Sequence, residues 1–175
     1  PPRRTSAEMV LAEPSGGQGV VGMCGRMGAR CTWGGNALTV RPHKGLRGIT
    51  LDANAVIDAV PVLTAVACCA EGPTTIRGAA IARRKESDRI AGIAGELGKM
   101  GAAIEEFEDG LTVHPRPLHG SVVRSRHDHR LAMALAVAGL VTGDTVVEDT
   151  GCVAKSFPGF AAVMNGLGAS VTEVR

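Results

Sequence analysis

Aromatic residues are scarce in this chain: they make up 2% of its 175 residues, with a single Trp and no Tyr. Binding of single-stranded nucleic acid by stacking needs such rings on a strongly basic field, and the formal net charge here is only +2. Neither a nucleic-acid nor a membrane partner is therefore expected. Long apolar stretches are also lacking. The longest, Leu131 to Val141, is too short to span a bilayer and is bounded by His129-Arg130 and Thr142-Gly143. No signal peptide is legible at the start. The five cysteines are odd in number and form no C-x-x-C pair, which argues against a disulfide framework or a thiolate zinc site. Cys68 and Cys69 sit in the apolar run Val62 to Ala70 and read as small core hydrophobes. A reducing, cytoplasmic setting is the expectation. The chain opens on Pro1 rather than Met, and Pro1 to Arg4 reads as the interior of a longer polypeptide, so a fragment is expected.

What is present is a globular composition, 45% hydrophobic and 21% charged, with 24 glycines. It is organised as a repeat. Met27-Gly28-Ala29 recurs as Met100-Gly101-Ala102 and as Leu167-Gly168-Ala169, at intervals of about 70 residues. That interval suits a small α/β unit used several times. Ile90, Ile93, Leu97 and Met100 are spaced as one helix face, with Gly101 as the stop. Paired strands follow: Ala29 to Trp33 with Ala37 to Val40 around Gly34-Gly35-Asn36, and Ala103 to Phe107 with Leu111 to Val113 around Asp109-Gly110. Upstream, Leu46 to Leu51 parallels Leu118 to Val123 as strands. Buried helices are predicted at Asp58 to Ala70 and at Asp128 to Leu140, followed by strands at Gly72 to Ile76 and Gly143 to Val147. The predicted fold is α/β, built from βαβαββ units. An incomplete copy runs over 1–45, a complete one over 46–114, and a third over 118–175 that lacks its last strand.

The repeat gives the charged residues an address. Asp58 opens one buried helix, Asp128-His129-Arg130 opens its counterpart, Lys85, Glu86, Asp88 and Arg89 open the next helix, and Lys155 precedes the last one. Junctions of one kind lie along one rim of an α/β layer, so these groups are expected to converge. Lys85, Arg89, Arg130 and Lys155 beside helix N-termini suit phosphate or carboxylate. Asp58 and Glu86 are the carboxylates placed for proton transfer. Each has a plainer rival. Residues 85–89 could be an ordinary solvated helix start, and Asp58 a simple N-cap. His127 and His129 have no third ligand at metal spacing.

Four blocks in one order carry a family resemblance. Arg83-Arg84-Lys85-Glu86-Ser87-Asp88-Arg89 resembles the Arg-x-Lys-Glu-Ser/Thr-Asp-Arg signature of EPSP synthases. Asp128-His129-Arg130-Leu131-Ala132-Met133 resembles their Asp-His-Arg-Met-Ala-Met block. Asp149 to Pro158 is similar to their Asp-Pro-x-Cys-x-x-Lys-Thr-Phe-Pro segment, and Asn54 to Ala59 to the stretch ending Pro-Asp-Ala. The departures are Ile57, Leu131 and Thr150 for Pro, Met and Pro, and Ile81 where many members carry an Asn that touches the shikimate phosphate.

The resemblance implies two lobes of three such units each, with the site between them, and this chain as part of the C-terminal lobe. It implies transfer of an enolpyruvyl group from phosphoenolpyruvate to shikimate 3-phosphate with release of phosphate, and no metal or organic cofactor. By motif match Asp58 is the base and Glu86 the acid. Lys85 contacts the shikimate phosphate substrate, Arg89, Arg130 and Lys155 clamp phosphoenolpyruvate, and His129 supports that clamp. The N-terminal lobe is the implied partner, and the chain alone is expected to be inactive. The rivals are the related transferase acting on UDP-N-acetylglucosamine, and a non-catalytic module that reuses the lobe for binding, for example to RNA ends.

Overall fold

The structure, a computed structural model, describes residues 7–10, 14–34, 37–41 and 44–173, with side chains from residue 19 onward. In chain order it contains β1 (Ala7–Val10), α1 (Pro14–Arg26), β2 (Arg30–Gly34), β3 (Ala37–Arg41), β4 (Leu46–Arg47) and β5 (Thr50–Asp52). A 3-10 turn at Ile57–Ala59 leads into α2 (Val60–Ala67), β6 (Ala70–Glu71) and β7 (Thr74–Arg77). A second 3-10 turn at Ala80–Arg84 precedes α3 (Arg89–Lys99), β8 (Ala103–Phe107) and β9 (Gly110–His114). The chain then runs through β10 (Val122–Arg124), α4 (His129–Thr142), β11 (Val146–Glu148), a 3-10 turn at Thr150–Cys152, α5 (Val153–Ser156) and α6 (Phe160–Gly166).

Repetition extends to single hydrogen bonds. At each of the three tripeptides the glycine is left-handed, with φ of 107°, 92° and 95° at Gly28, Gly101 and Gly168. In all three the glycine N–H donates three residues back, to Gly25, Gly98 and Asn165. The next amide donates five back, to Cys24, Leu97 and Met164. This is the Schellman ending of a helix, which uses up orphan carbonyls and requires a residue without a Cβ penalty. At two of these turns the start of the following unit returns to bond in the same way: Arg47 N–H donates to Met27 O, and His119 N–H to Met100 O.

The sheets repeat too. β1-β3-β2 and β7-β9-β8 have one strand order, and β5–β7 and β10–β11 are both parallel pairs. Ala53 N–H donates to Arg77 O, and its counterpart Ser125 N–H to Glu148 O. Through these bonds Asp58 and Arg130 occupy equivalent positions, each five residues past the equivalent pair Ala53 and Ser125. In the third copy β11 pairs with β10 alone among the described residues, whereas β7 is also covered by β9.

Boundaries differ from expectation for local reasons. The strand predicted over 46–51 is two pieces, β4 and β5. Arg47 lies opposite Glu71 but Thr50 opposite Thr75, so one extra residue is taken up at Gly72-Pro73, where proline also has no N–H for the ladder. The first buried helix is a 3-10 turn followed by α2, and Ala70 belongs to β6 rather than to the helix. The β8–β9 turn is Glu108-Asp109, one residue before the predicted dipeptide, because Phe107 faces Gly110. Gly110 does not supply a left-handed turn. It is needed because a Cβ there would lie 1.9 Å from Ile76 O. Gly35-Asn36 and Pro1 to Arg4 lie outside the described residues.

The core lies between the sheets and α2, α3 and α4. Ile90, Ile93, Leu97 and Met100 are all 0% exposed, as their helical spacing predicts. Full burial of such side chains stabilises by about 1.5–3 kcal/mol each. Cys68 joins this core, but Cys69 is exposed. Its expected burial fails because the turn continues past α2 and puts Cys69 on the side of the half-buried Val62 and Val66, away from the core. Among the described residues no helix is long and apolar enough to cross a membrane.

Candidate active site

α3 and α4 start side by side, and their caps set the site. Asp88 is the N-cap of α3: its Oδ1 accepts from the amides of Ile90 and Ala91. Its Oδ2 accepts from Arg83 Nη1 at 2.9 Å, and Arg83 in turn donates to the carbonyls of Phe107 and Glu108. The β8–β9 turn is thereby clasped to the head of α3. Lys85, Glu86 and Ser87 precede this helix rather than open it, and Arg89 is its first residue. Asp128 is the N-cap of α4 and accepts from the amide of Arg130 at 2.9 Å.

Arg89 is the centre of the cluster. Its side chain is 1% exposed, and its guanidinium donates to three carboxylates. Nε reaches Asp128 Oδ2 at 2.8 Å, Nη1 reaches Asp58 Oδ1 at 2.7 Å, and Nη2 reaches Glu86. Asp128 is 0% exposed and also accepts from Ser87 Oγ at 3.0 Å. Asp58 caps no helix. Its carboxylate instead lies 3.5 Å from Lys85 Nζ and 3.3 Å from Arg130 Nη2, and its carbonyl accepts from Arg130 Nη1.

Residues 58, 85, 86, 89 and 130, drawn from three junctions, therefore meet at one rim. His129 is half-buried at the start of α4, and the structure gives it no bond to this cluster. Lys155 is exposed within α5, with no ion pair among the described residues. Its junction is nonetheless tied to the neighbouring one, since Ser125 Oγ donates to Asp149 O at 2.7 Å. Ile81 stands 60% exposed on the turn that packs against the one bearing Asp58. Asp128, which organises Arg89, was missed as a site residue. Its signal was an acid at an N-cap immediately before a His-Arg pair.

No group of three or more His, Cys, Asp or Glu that could hold a metal ion occurs among the described residues. The electrostatics are those of ion pairs. Burial pushes the Asp128 carboxyl up, but the hydrogen bond from Arg89, the Arg130 amide and Ser87 outweigh it and hold it below its ordinary 3.8. Burial likewise acts on Asp58, and Arg130, Lys85 and Arg89 bring it down. Both groups are more acidic folded than unfolded. Their contribution is thus complete above the unfolded value and is lost as pH falls through the lowered folded values. Unfolding free energy from urea melts should be flat between about pH 5 and 7 and decline below about pH 4. Asp128→Asn should flatten that decline. A stability that rises on acidification would contradict the ion-pair assignment.

A repeated α/β wall thus gathers cations and carboxylates from successive helix starts at one rim. A profile of the family described as EPSP synthase (3-phosphoshikimate 1-carboxyvinyltransferase) matches residues 9–164. The 3-phosphoshikimate 1-carboxyvinyltransferase of Methanosphaerula palustris is 46% identical over 134 residues, covering 77% of this chain and 32% of that protein. The Chlamydia abortus protein of the same name is 40% identical over 149 residues, 85% of this chain and 33% of its own length. Among solved structures, EPSP synthase from Acinetobacter baumannii superposes with a TM-score of 0.84 at 32% identity, covering 97% of this chain and 44% of that one. The enolpyruvyl transferase NikO from Streptomyces tendae, at 24% identity and a TM-score of 0.76, shares the fold. The chain belongs to the EPSP synthase family. It spans about a third of the length of the curated relatives it matches.

Proposed function

We propose that this chain supplies one wall of an enzyme that transfers the enolpyruvyl group of phosphoenolpyruvate to shikimate 3-phosphate and releases phosphate. The observation that carries this reading is the meeting of Asp58 with Lys85, Arg89 and Arg130, residues from separate junctions, in a chain of this family. In the proposed reaction Asp58 takes the proton from the attacking sugar hydroxyl, and Glu86 delivers a proton to the methylene carbon. The phosphate of shikimate 3-phosphate lies against Lys85. Arg130, Arg89 and Lys155 hold the carboxylate and phosphate of phosphoenolpyruvate, with His129 beside them. Arg89 is fully engaged by three carboxylates, so its part in the clamp requires the half-exposed Glu86 to swing off its Nη2.

Closure of the site belongs to a second lobe, and we assign the three units to 1–45, 46–114 and 118–175 of one lobe. A reducing cytoplasm fits five free thiols. The chain alone should give no measurable phosphate release from the two substrates, while joined to a complementary N-terminal lobe it should turn over. Turnover by the isolated chain would overturn the two-lobe reading. UDP-N-acetylglucosamine displacing shikimate 3-phosphate in competition binding would overturn the substrate assignment.

A further inference from the structure

Two consecutive non-glycine residues, Arg126 and His127, adopt left-handed backbone with φ of 54° and 59°. Such conformations cost of order 1 kcal/mol or more each and persist only where the surroundings impose them. They form the turn between β10 and α4, immediately before Asp128. The equivalent turn of the second copy, Asn54-Ala55, is not left-handed and leads to Val56, an apolar residue, where the third copy has buried Asp128.

What imposes the turn is on α3. Glu96 lies two turns beyond Arg89 with its side chain 3% exposed. Its Oε2 accepts from the Arg124 amide at 2.9 Å and from Lys99 Nζ at 2.6 Å. Its Oε1 accepts from Arg126 Nη2 at 3.3 Å and Nε at 3.4 Å. Ser125 completes the lock, since its Oγ accepts from the His127 amide. A buried carboxylate thus grips the strand end before the strained turn and the first residue within it, and the same helix presents Arg89 to Asp128. One rigid element holds both sides of the pairing.

We infer that Glu96 is a positioning residue: through Arg126 and the Arg124 amide it fixes the left-handed turn, and so sets Asp128 and Arg130 against Arg89 and Asp58. Its importance for turnover rests on the function proposed above, but its structural action can be read without any ligand. Burial pushes the Glu96 carboxyl up, while Lys99, the Arg124 amide and Arg126 bring it below its ordinary value, so it carries the charge that Arg126 needs.

The test uses the full chain with Glu96→Gln and, separately, Arg126→Asn, since asparagine accepts left-handed backbone and only the grip is lost. Val113→Ala, a core change on β9, is the control for general loss of stability. Nitrogen-15 NMR should show the Arg89 Nε–H exchanging with solvent about tenfold faster in both grip variants and at the wild-type rate in the control. In a two-lobe enzyme containing this chain, phosphoenolpyruvate affinity followed by titration should fall about tenfold in the grip variants alone. Unchanged Arg89 exchange in both variants, or an equal change in Val113→Ala, overturns the inference. A wild-type two-lobe enzyme that does not bind phosphoenolpyruvate counts against the functional reading instead, and Arg89 exchange in the chain still decides the role of Glu96.

Discussion

Replacing Asp128 with alanine is expected to destabilise the chain by about 3–5 kcal/mol, the cost of removing one partner of a buried ion pair. Arg89 is 1% exposed and loses its closest buried acceptor, together with the carboxylate that orients Nε and part of Nη2. The amide of Arg130 and the hydroxyl of Ser87 lose their acceptor in the same step. With typical domain stabilities of about 5–15 kcal/mol, the loss is a large share of the whole. Urea unfolding should report it as a lower midpoint at unchanged slope. Asp128→Asn keeps the cap and one acceptor while removing the charge, and should fall between the two. An alanine variant within about 1 kcal/mol of wild type, the scale of an exposed pair, would show that Arg89 is solvated after all.

The second large effect is on turnover, with a smaller one on stability. In a two-lobe enzyme containing this chain, Asp58→Asn and Glu86→Gln should each lower kcat by about 10²–10⁴, the usual worth of a positioned acid or base. Both side chains are close to half exposed, at 47% and 52%, so neither anchors the core. Phosphate release under saturating substrates measures kcat, and a urea melt of the same samples measures folding. If the two carboxylates serve only as ion-pair partners of Arg89, kcat will stay within a few-fold of wild type. The roles of base and acid would then have to be withdrawn.

How far the sequence foretold this site depends on how local each determinant is. The face Ile90–Ile93–Leu97–Met100 was readable because periodicity and the Gly101 stop are written within one helix. The nearness of Asp58 and Arg130, 72 residues apart in sequence, was readable only through the repeat, which makes them equivalent positions on adjoining units. Pairings between unlike positions left no such trace. Nothing local says that Arg89 reaches across 39 residues to Asp128, since an acid before a helix reads first as a cap. Glu96 looks like an ordinary charge on a polar helix face; only the fold brings Arg124 and Arg126 over it. Lys155 was placed at a junction by the same repeat logic, yet its unit has a shorter final helix, α6 with 7 residues against 11 in α3.

The ring of ion pairs around Arg89 also has an arithmetic of its own. Asp58, Glu86 and Asp128 face Lys85, Arg89 and Arg130, so this ring is formally neutral, with each of its cations paired. An incoming ligand with several negative charges finds no surplus attraction here and would leave the rim overcharged. Favourable capture therefore calls for extra positive groups approaching from outside this ring, either Lys155 moving inward or side chains on an opposing surface. Neutrality of the ring would thus make affinity, in the proposed enzyme, a property of assembly.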